Sequence, residues 1–167
     1  MAKLIIIRGN SGSGKTSLAK ALQEQYKDNS MIISQDLVRR EMLSVSDGPD
    51  TATIPLLYHL LEYGRQNYEI TILEGILASK WYTPLFERAH SLFNGDVLGY
   101  YYDLPFEETI KRHYTKPVAS EFGEKDLRQW WHQMDILKVI PERLITQDVS
   151  IADAVNTICQ DITRKRH

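Results

Sequence analysis

The sequence predicts an α/β protein, with a parallel sheet of five strands covered by helices. Three observations predict it. Short apolar runs alternate with longer segments of helical periodicity along the 167 residues, the pattern of strands joined by crossover helices. The first run is apolar on successive residues, as a strand buried on both faces is. A glycine-rich loop then ties that strand directly to a helix. No internal repeat, low-complexity tract or long linker divides the chain, so one domain over residues 1–167 is expected.

In chain order, the first strand runs from Lys3 to Arg8. The helix after the glycine-rich loop carries Leu18, Ala21, Leu22, Gln25 and Tyr26 at helical spacing. A second strand, Met31 to Ser34, leads into Gln35-Asp36 and a helix starting near Leu37. Ser46 to Asp50 reads as a loop. Helical spacing returns at Ile54, Leu57, Tyr58 and Leu61, with Pro55 in the first turn where its missing N–H costs nothing. The third strand, Ile70 to Leu73, ends at Glu74-Gly75. A helix from about Thr83 to Phe93 precedes the fourth strand, Val97 to Tyr102. Pro105 opens a short helix containing Glu107, Glu108 and Arg112. A polar stretch, His113 to Lys125, joins it to a helix expected to carry Leu127, Trp131 and Met134. The fifth strand is Arg143 to Thr146. Ser150 caps a last helix through Asp153, and Ile151, Ala154, Val155, Ile158 and Ile162 form its apolar face.

With 43% hydrophobic and 25% charged residues, the chain has enough apolar material for a full core. The net charge of -2 supplies no global attraction to nucleic acid or anionic membranes, so nucleic acid is disfavoured as a partner. The apolar run Leu4 to Ile7 is interrupted by Arg8 and is too short for a signal-peptide core, and no stretch reaches membrane-spanning length. The one cysteine, Cys159, sits on the apolar side of the last helix and reads as a buried small hydrophobe. With a single cysteine, a reducing, cytoplasmic home is the simplest expectation. Both a monomer and a homodimer are compatible with these features.

Chemistry enters at Gly9-Asn10-Ser11-Gly12-Ser13-Gly14-Lys15-Thr16, which fits the phosphate-binding P-loop pattern at every constrained position. Glycines let the backbone curl so that successive N–H groups point at one phosphate group. The N-terminus of the following helix, where Ser17 completes the phosphate-contacting set, adds positive dipole at the same spot. Lys15 supplies a mobile charge for the β- and γ-phosphates of ATP, and the Thr16 hydroxyl is placed to ligate Mg²⁺. The loop follows a buried strand and opens an amphipathic helix, as this mechanism requires. A glycine-rich turn that merely includes a lysine would need no such setting.

A bound triphosphate does not decide the reaction. A guanine-reading Asn-Lys-x-Asp is absent from the sequence, and Asp96-Val97-Leu98-Gly99 precedes its strand instead of ending one, which argues against a GTPase switch. Asp36 closes the second strand. In an open parallel sheet ligands sit outside the carboxyl ends of the strands, so Asp36 is expected to face the P-loop's crevice, where it can accept a proton from a hydroxyl and hold Mg²⁺ through water. It can also cap the helix near Leu37. Glu74 ends the third strand as the acid of a Walker B strand does, and its longer side chain suits contact with Mg²⁺ through water or with the acceptor. From Arg112 to Arg128 a segment made locally basic by Arg112, His113, Lys116, Lys125 and Arg128, and offset by Glu121, Glu124 and Asp126, is expected to form a lid of about residues 112–128 whose cations stabilise charge in transfer. Trp81-Tyr82 and Trp130-Trp131 could stack on a ring, although core and rim packing is the plainer reading for both pairs.

With these residues placed, the chain resembles the small P-loop kinases, in particular the zeta-toxin-like and chloramphenicol-phosphotransferase-like group. The resemblance runs from Lys3 to about Ile162. It rests on Gly9 to Thr16, Ile32 to Asp36 with Arg39-Arg40, Ile72 to Gly75, Tyr102 to Pro105 through Arg112, and the closing helix. It implies a three-layer αβα sandwich with strand order 2-3-1-4-5. It further implies that Asp36 is the base toward the acceptor hydroxyl and that Arg112 and Arg128 bind nucleotide or transferred phosphate. Thr146-Gln147-Asp148 would form the adenine side. Lys116 stands where many such kinases have a second lid arginine, keeping the charge but losing the bidentate fork.

The expectation is therefore an ATP- and Mg²⁺-dependent kinase acting on a hydroxyl of a small molecule. Lys15, Asp36, Arg112 and Arg128 would be catalytic, and Asp36, Arg39, Arg40 and Glu74 would border the acceptor. Two alternatives stay open. Asp36 with Arg39-Arg40 could receive a nucleic-acid end, and the chain could be a non-catalytic ATP-binding module.

Overall fold

A computed structural model of the protein describes residues 1–164; the last three positions of the expected domain, 165–167, lie outside the described residues. Its strands are β1 (Lys3–Gly9), β2 (Ser30–Ser34), β3 (Ile70–Gly75), β4 (Val97–Tyr102) and β5 (Glu142–Ile145). They pair in parallel in the order β2-β3-β1-β4-β5. The helices are α1 (Lys15–Tyr26), α2 (Gln35–Leu37, continuing into a wider π-type turn, Val38–Leu43), α3 (Thr53–Asn67), α4 (Ser79–Leu92), α5 (Phe106–His113), α6 (Glu124–Gln129) and α7 (Ile151–Thr163). This is the αβα sandwich the sequence predicts.

Alternation along β1 builds the three layers. Leu4 and Ile6 point into the core under α3 and α4, with Leu57, Leu61, Leu85 and Phe86. Ile5 and Ile7 point the other way, toward Leu18 and Leu22 of α1 and Ala154 and Ile158 of α7. The period of two in a strand makes each residue choose one layer. Ser150 caps α7, its hydroxyl accepting the Asp153 N–H at 3.0 Å.

Strand register brings the site together. Glu74 pairs with Ile7 on one side and Ser34 on the other, while Gly9 pairs with Tyr102. The carboxyl ends of β1, β2, β3 and β4 therefore open at one edge, the crevice position for ligands in open parallel sheets.

Two expected elements change. Helix α4 begins at Ser79, so Trp81 and Tyr82 lie inside it and Pro84 sits within the helix. Tyr82 is fully buried, and its hydroxyl bonds Asp47 at 2.7 Å and Gln35 at 2.9 Å. Helix α6 stops at Gln129, so Leu127 is helical and buried but Trp131 and Met134 are not in the helix. The physical reason lies outside the helix. Backbone groups of His132 and Asp135, which a continuing helix would use internally, are taken by the side chains of Asn10 and Arg8.

Candidate active site

The P-loop joins β1 to α1 through Gly14, whose φ is 103°. No side chain caps α1, which leaves its first amides open to an anion. A Cβ on Gly12 (φ 80°) would come within 2.6 Å of the Thr109 carbonyl oxygen, so the loop needs glycine for both conformation and space. The cradle fits a polyphosphate.

Lys15 is buried, and its ammonium donates to the Asn10 carbonyl at 2.8 Å and the Ser13 hydroxyl at 3.3 Å. Burial lowers its pKa to about 8; the Glu74 carboxylate acts against this, and Lys116 reinforces it. Lys116 is itself pushed down by burial, with Glu74 opposing and Arg112 adding repulsion. Lys116 thus feels the Arg112 charge and adds to the field on Lys15, and an anion between such cations relieves their repulsion.

The Thr16 hydroxyl donates to Glu74 Oε1 at 3.1 Å. Glu74 is buried, despite its charge, at the end of β3. Among the described residues no group of three or more His, Cys, Asp or Glu side chains could cage a metal. A hydroxyl and a carboxylate side by side fit a hard cation such as Mg²⁺ that takes its other oxygens from phosphate and water.

Asp36 lies in the first turn after β2, 61% exposed, with Oδ1 at 3.2 Å from Arg39 and 2.9 Å from Arg40. Ser34, not Asp36, caps this helix, accepting the Leu37 N–H at 3.4 Å. The Arg40 guanidinium also lies over the rings of Phe122 (5.5 Å), within the expected lid, and Trp130 (5.9 Å), just beyond it. Arg39 donates to the Val45 carbonyl at 3.1 Å, and its Nε is buried without a partner.

The two arginines expected in the lid part company. Arg112 donates to the Ser13 carbonyl at 2.7 Å while Glu108 holds its Nε at 3.0 Å, so it rests on the P-loop. Arg128 is 65% exposed, pairs with Glu124 at 3.1 Å and lies 4.2 Å over the Phe106 ring. Phe106 is in turn one wall of a separate cleft of about 520 Å³, lined also by Trp131, Thr146, Gln147 and Asp148 among others. Trp131 packs edge-on against Phe106, with ring centres 5.3 Å apart.

Sequence reasoning missed Arg8, read only as the end of an apolar run. It is fully buried, and it donates to Asp135 and Glu142 carboxylates at 2.7 Å each and to the carbonyls of Leu77 and Asp135. The rings of Phe86 and Tyr101 flank it at 5.7 and 5.5 Å. Ser79 donates to Asp135 through both its amide and its hydroxyl. Burial raises the pKa of Glu142 against the pull of Arg8. A charged residue directly after the apolar run Leu4 to Ile7 of a buried strand was the available signal, because a buried arginine needs carboxylate partners.

The model for chloramphenicol phosphotransferase-like proteins matches residues 2–55, from β1 through the start of α3. No functionally curated protein matches the chain. Among solved structures, a gluconokinase from Sinorhizobium meliloti 1021 superposes with a TM-score of 0.66 at 13% identity, covering 97% of this chain and 92% of its own. The APS kinase CysC of Mycobacterium tuberculosis, in complex with AMPPNP and APS, superposes at 0.63 and 17% identity, covering 95% and 96%. The tunicamycin resistance protein of Deinococcus radiodurans gives 0.65 at 15% identity, covering 99% and 98%. At such identities the likeness is one of fold. No helix among the described residues is long and apolar enough to cross a membrane. The chain has the fold of the P-loop kinases, and over its first third it matches the chloramphenicol phosphotransferase-like family.

Proposed function

We propose that this protein is an ATP- and Mg²⁺-dependent kinase that moves a γ-phosphoryl group onto a hydroxyl of a small-molecule acceptor. The contact of the Thr16 hydroxyl with the buried Glu74 carboxylate, beside the buried Lys15, carries this reading. It sets a cation-binding pair against a phosphate cradle. A Mg²⁺ ion held there would neutralise phosphate charge.

The chain's own groups have separable tasks. The amides of Gly9 to Ser17 and the Lys15 ammonium hold the polyphosphate. Arg112, resting on the Ser13 carbonyl, and Lys116, whose charge acts on Lys15, bring positive charge to the oxygens that gain charge in transfer. Asp36 takes the proton of the acceptor hydroxyl as its oxygen bonds to phosphorus and the bond to the ADP oxygen breaks. The cleft of Phe106, Trp131 and Thr146 to Asp148 takes the base, with Arg128 stacked over its Phe106 wall. Arg39 and Arg40 border the acceptor.

Acceptor-stimulated ATP consumption, screened over sugars, nucleosides, antibiotics and oligonucleotides, tests the proposal. Turnover with a small hydroxyl compound is expected. Tight ATP binding with no transfer across the screen would point to a non-catalytic nucleotide module, and steeply salt-dependent oligonucleotide turnover to an end kinase.

A further inference from the structure

We infer that Asn10 is a positioning residue that couples the filling of the phosphate loop to the hinge of the lid; the inference rests on the nucleotide site proposed above. Asn10 is 6% exposed. Its side chain grips the backbone of His132 in both directions. Nδ2 donates to the His132 carbonyl at 2.7 Å, and the His132 N–H donates to Oδ1 at 2.8 Å. The same residue's carbonyl accepts the Lys15 ammonium at 2.8 Å. One residue therefore holds the end of the lid with its side chain and, with its backbone, the cation that a polyphosphate competes for.

The lid is fastened to the phosphate loop at both ends. On the entering side Arg112 donates to the Ser13 carbonyl at 2.7 Å. On the leaving side Asn10 holds His132, three residues after α6 ends at Gln129. Beyond it, Arg8 fixes Asp135 from the fully buried end of β1. The turn between Gln129 and His132 is thus the place where the lid can rotate against a fixed anchor. Between these ends, Phe122 and Trp130 lie against Arg40, which itself bonds Asp36.

A polyphosphate in the cradle draws Lys15 away from the Asn10 carbonyl and reorients that peptide. The amide pair delivers the change to His132, because a two-bond clamp transmits rotation as well as translation. An asparagine that merely satisfied buried backbone groups would hold the hinge equally with and without nucleotide. The coupling is the distinguishing property.

Amide hydrogen exchange of the full chain tests this, comparing wild type with Asn10→Ala and with Asn10→Leu, which fills the same volume without polar atoms and serves if the alanine variant fails to fold. Without nucleotide, exchange at residues 129–132 is expected to rise by about tenfold or more in either variant while β1 and β3 stay protected. With AMPPNP and Mg²⁺ raised to full occupancy, checked by calorimetry, wild-type residues 113–131 become protected and the variants lose most of that response. Nucleotide-induced protection that survives in both variants, or unchanged exchange at His132, overturns the inference. Failure of AMPPNP to bind wild type overturns the proposed function instead, and this inference with it.

Discussion

Thr16 Oγ1 lies 3.1 Å from Glu74 Oε1, across 58 positions of sequence, at the point where two parallel neighbouring strands end. Neither residue alone suggests a cation site. The proposed Mg²⁺ site rests on their contact, a hydroxyl and a buried carboxylate sharing one hydrogen bond beside the glycine-rich loop.

Removing the charge of Glu74 isolates this pair. Glu74→Gln keeps an oxygen to accept from Thr16 but withdraws the anion. The strengthening of AMPPNP binding by Mg²⁺ is expected to fall by about 10–100-fold, while binding in EDTA stays level or improves. Calorimetric titrations with and without Mg²⁺ measure both quantities. A Mg²⁺ effect equal to wild type would remove Glu74 from the cation site.

If Lys15 holds the polyphosphate as proposed, nucleotide binding is expected to depend on pH with a defined sign. Burial lowers its pKa from 10.5 to about 8, with Glu74 opposing. The unfolded chain binds more protons between these values, so this group's contribution to native stability rises as pH climbs through that window. Polyphosphate stabilises the ammonium and raises the pKa again, so binding near pH 8.5 takes up protons, toward about one per site. Calorimetry in two buffers of different ionisation enthalpy measures the uptake. It should vanish in Lys15→Met.

Asp36 is exposed and paired with Arg39 and Arg40, so its role rests on position at the crevice. Asp36→Asn is expected to keep AMPPNP affinity within about threefold and to lower turnover with an accepted substrate by about 10²–10⁴-fold. A turnover rate equal to wild type would exclude it as the base.

Arg112 and Arg128 should differ in stability as they do in setting. Arg112→Ala removes a charged hydrogen bond to the Ser13 carbonyl and is expected to destabilise by about 1.5–3 kcal/mol. Arg112→Lys restores little of it, since lysine cannot bond Ser13 and Glu108 through a planar fork. Arg128→Ala breaks an exposed pair and should cost less than about 0.5 kcal/mol. Urea denaturation of the three variants gives the ranking, and equal losses for both alanine changes would refute it.

What was legible followed from local rules. Residues 3–16 spell a buried strand, a glycine cradle and a helix start, each fixed by chemistry within a few residues. The end of α6 was not legible. Leu127, Trp131 and Met134 have helical spacing, yet the backbone after Gln129 is drawn off by Asn10 and Arg8, more than 120 residues earlier. Periodicity records which side chains are apolar; it is blind to distant side chains that compete for backbone bonds. For the same reason Arg8 reads as an interruption of β1 until Asp135 and Glu142 are beside it.

By itself the sequence determined the layered α/β architecture, the glycine-rich loop and the acids at or just past the ends of the second and third strands, because each depends on residue type and near spacing. Only the tertiary structure decided that Thr16 meets Glu74, that Arg112 rests on the loop while Arg128 turns to Phe106, and that Asn10 grips the backbone of His132. Those contacts join segments tens to more than a hundred residues apart, and strand register and packing, not local preference, set which of them form.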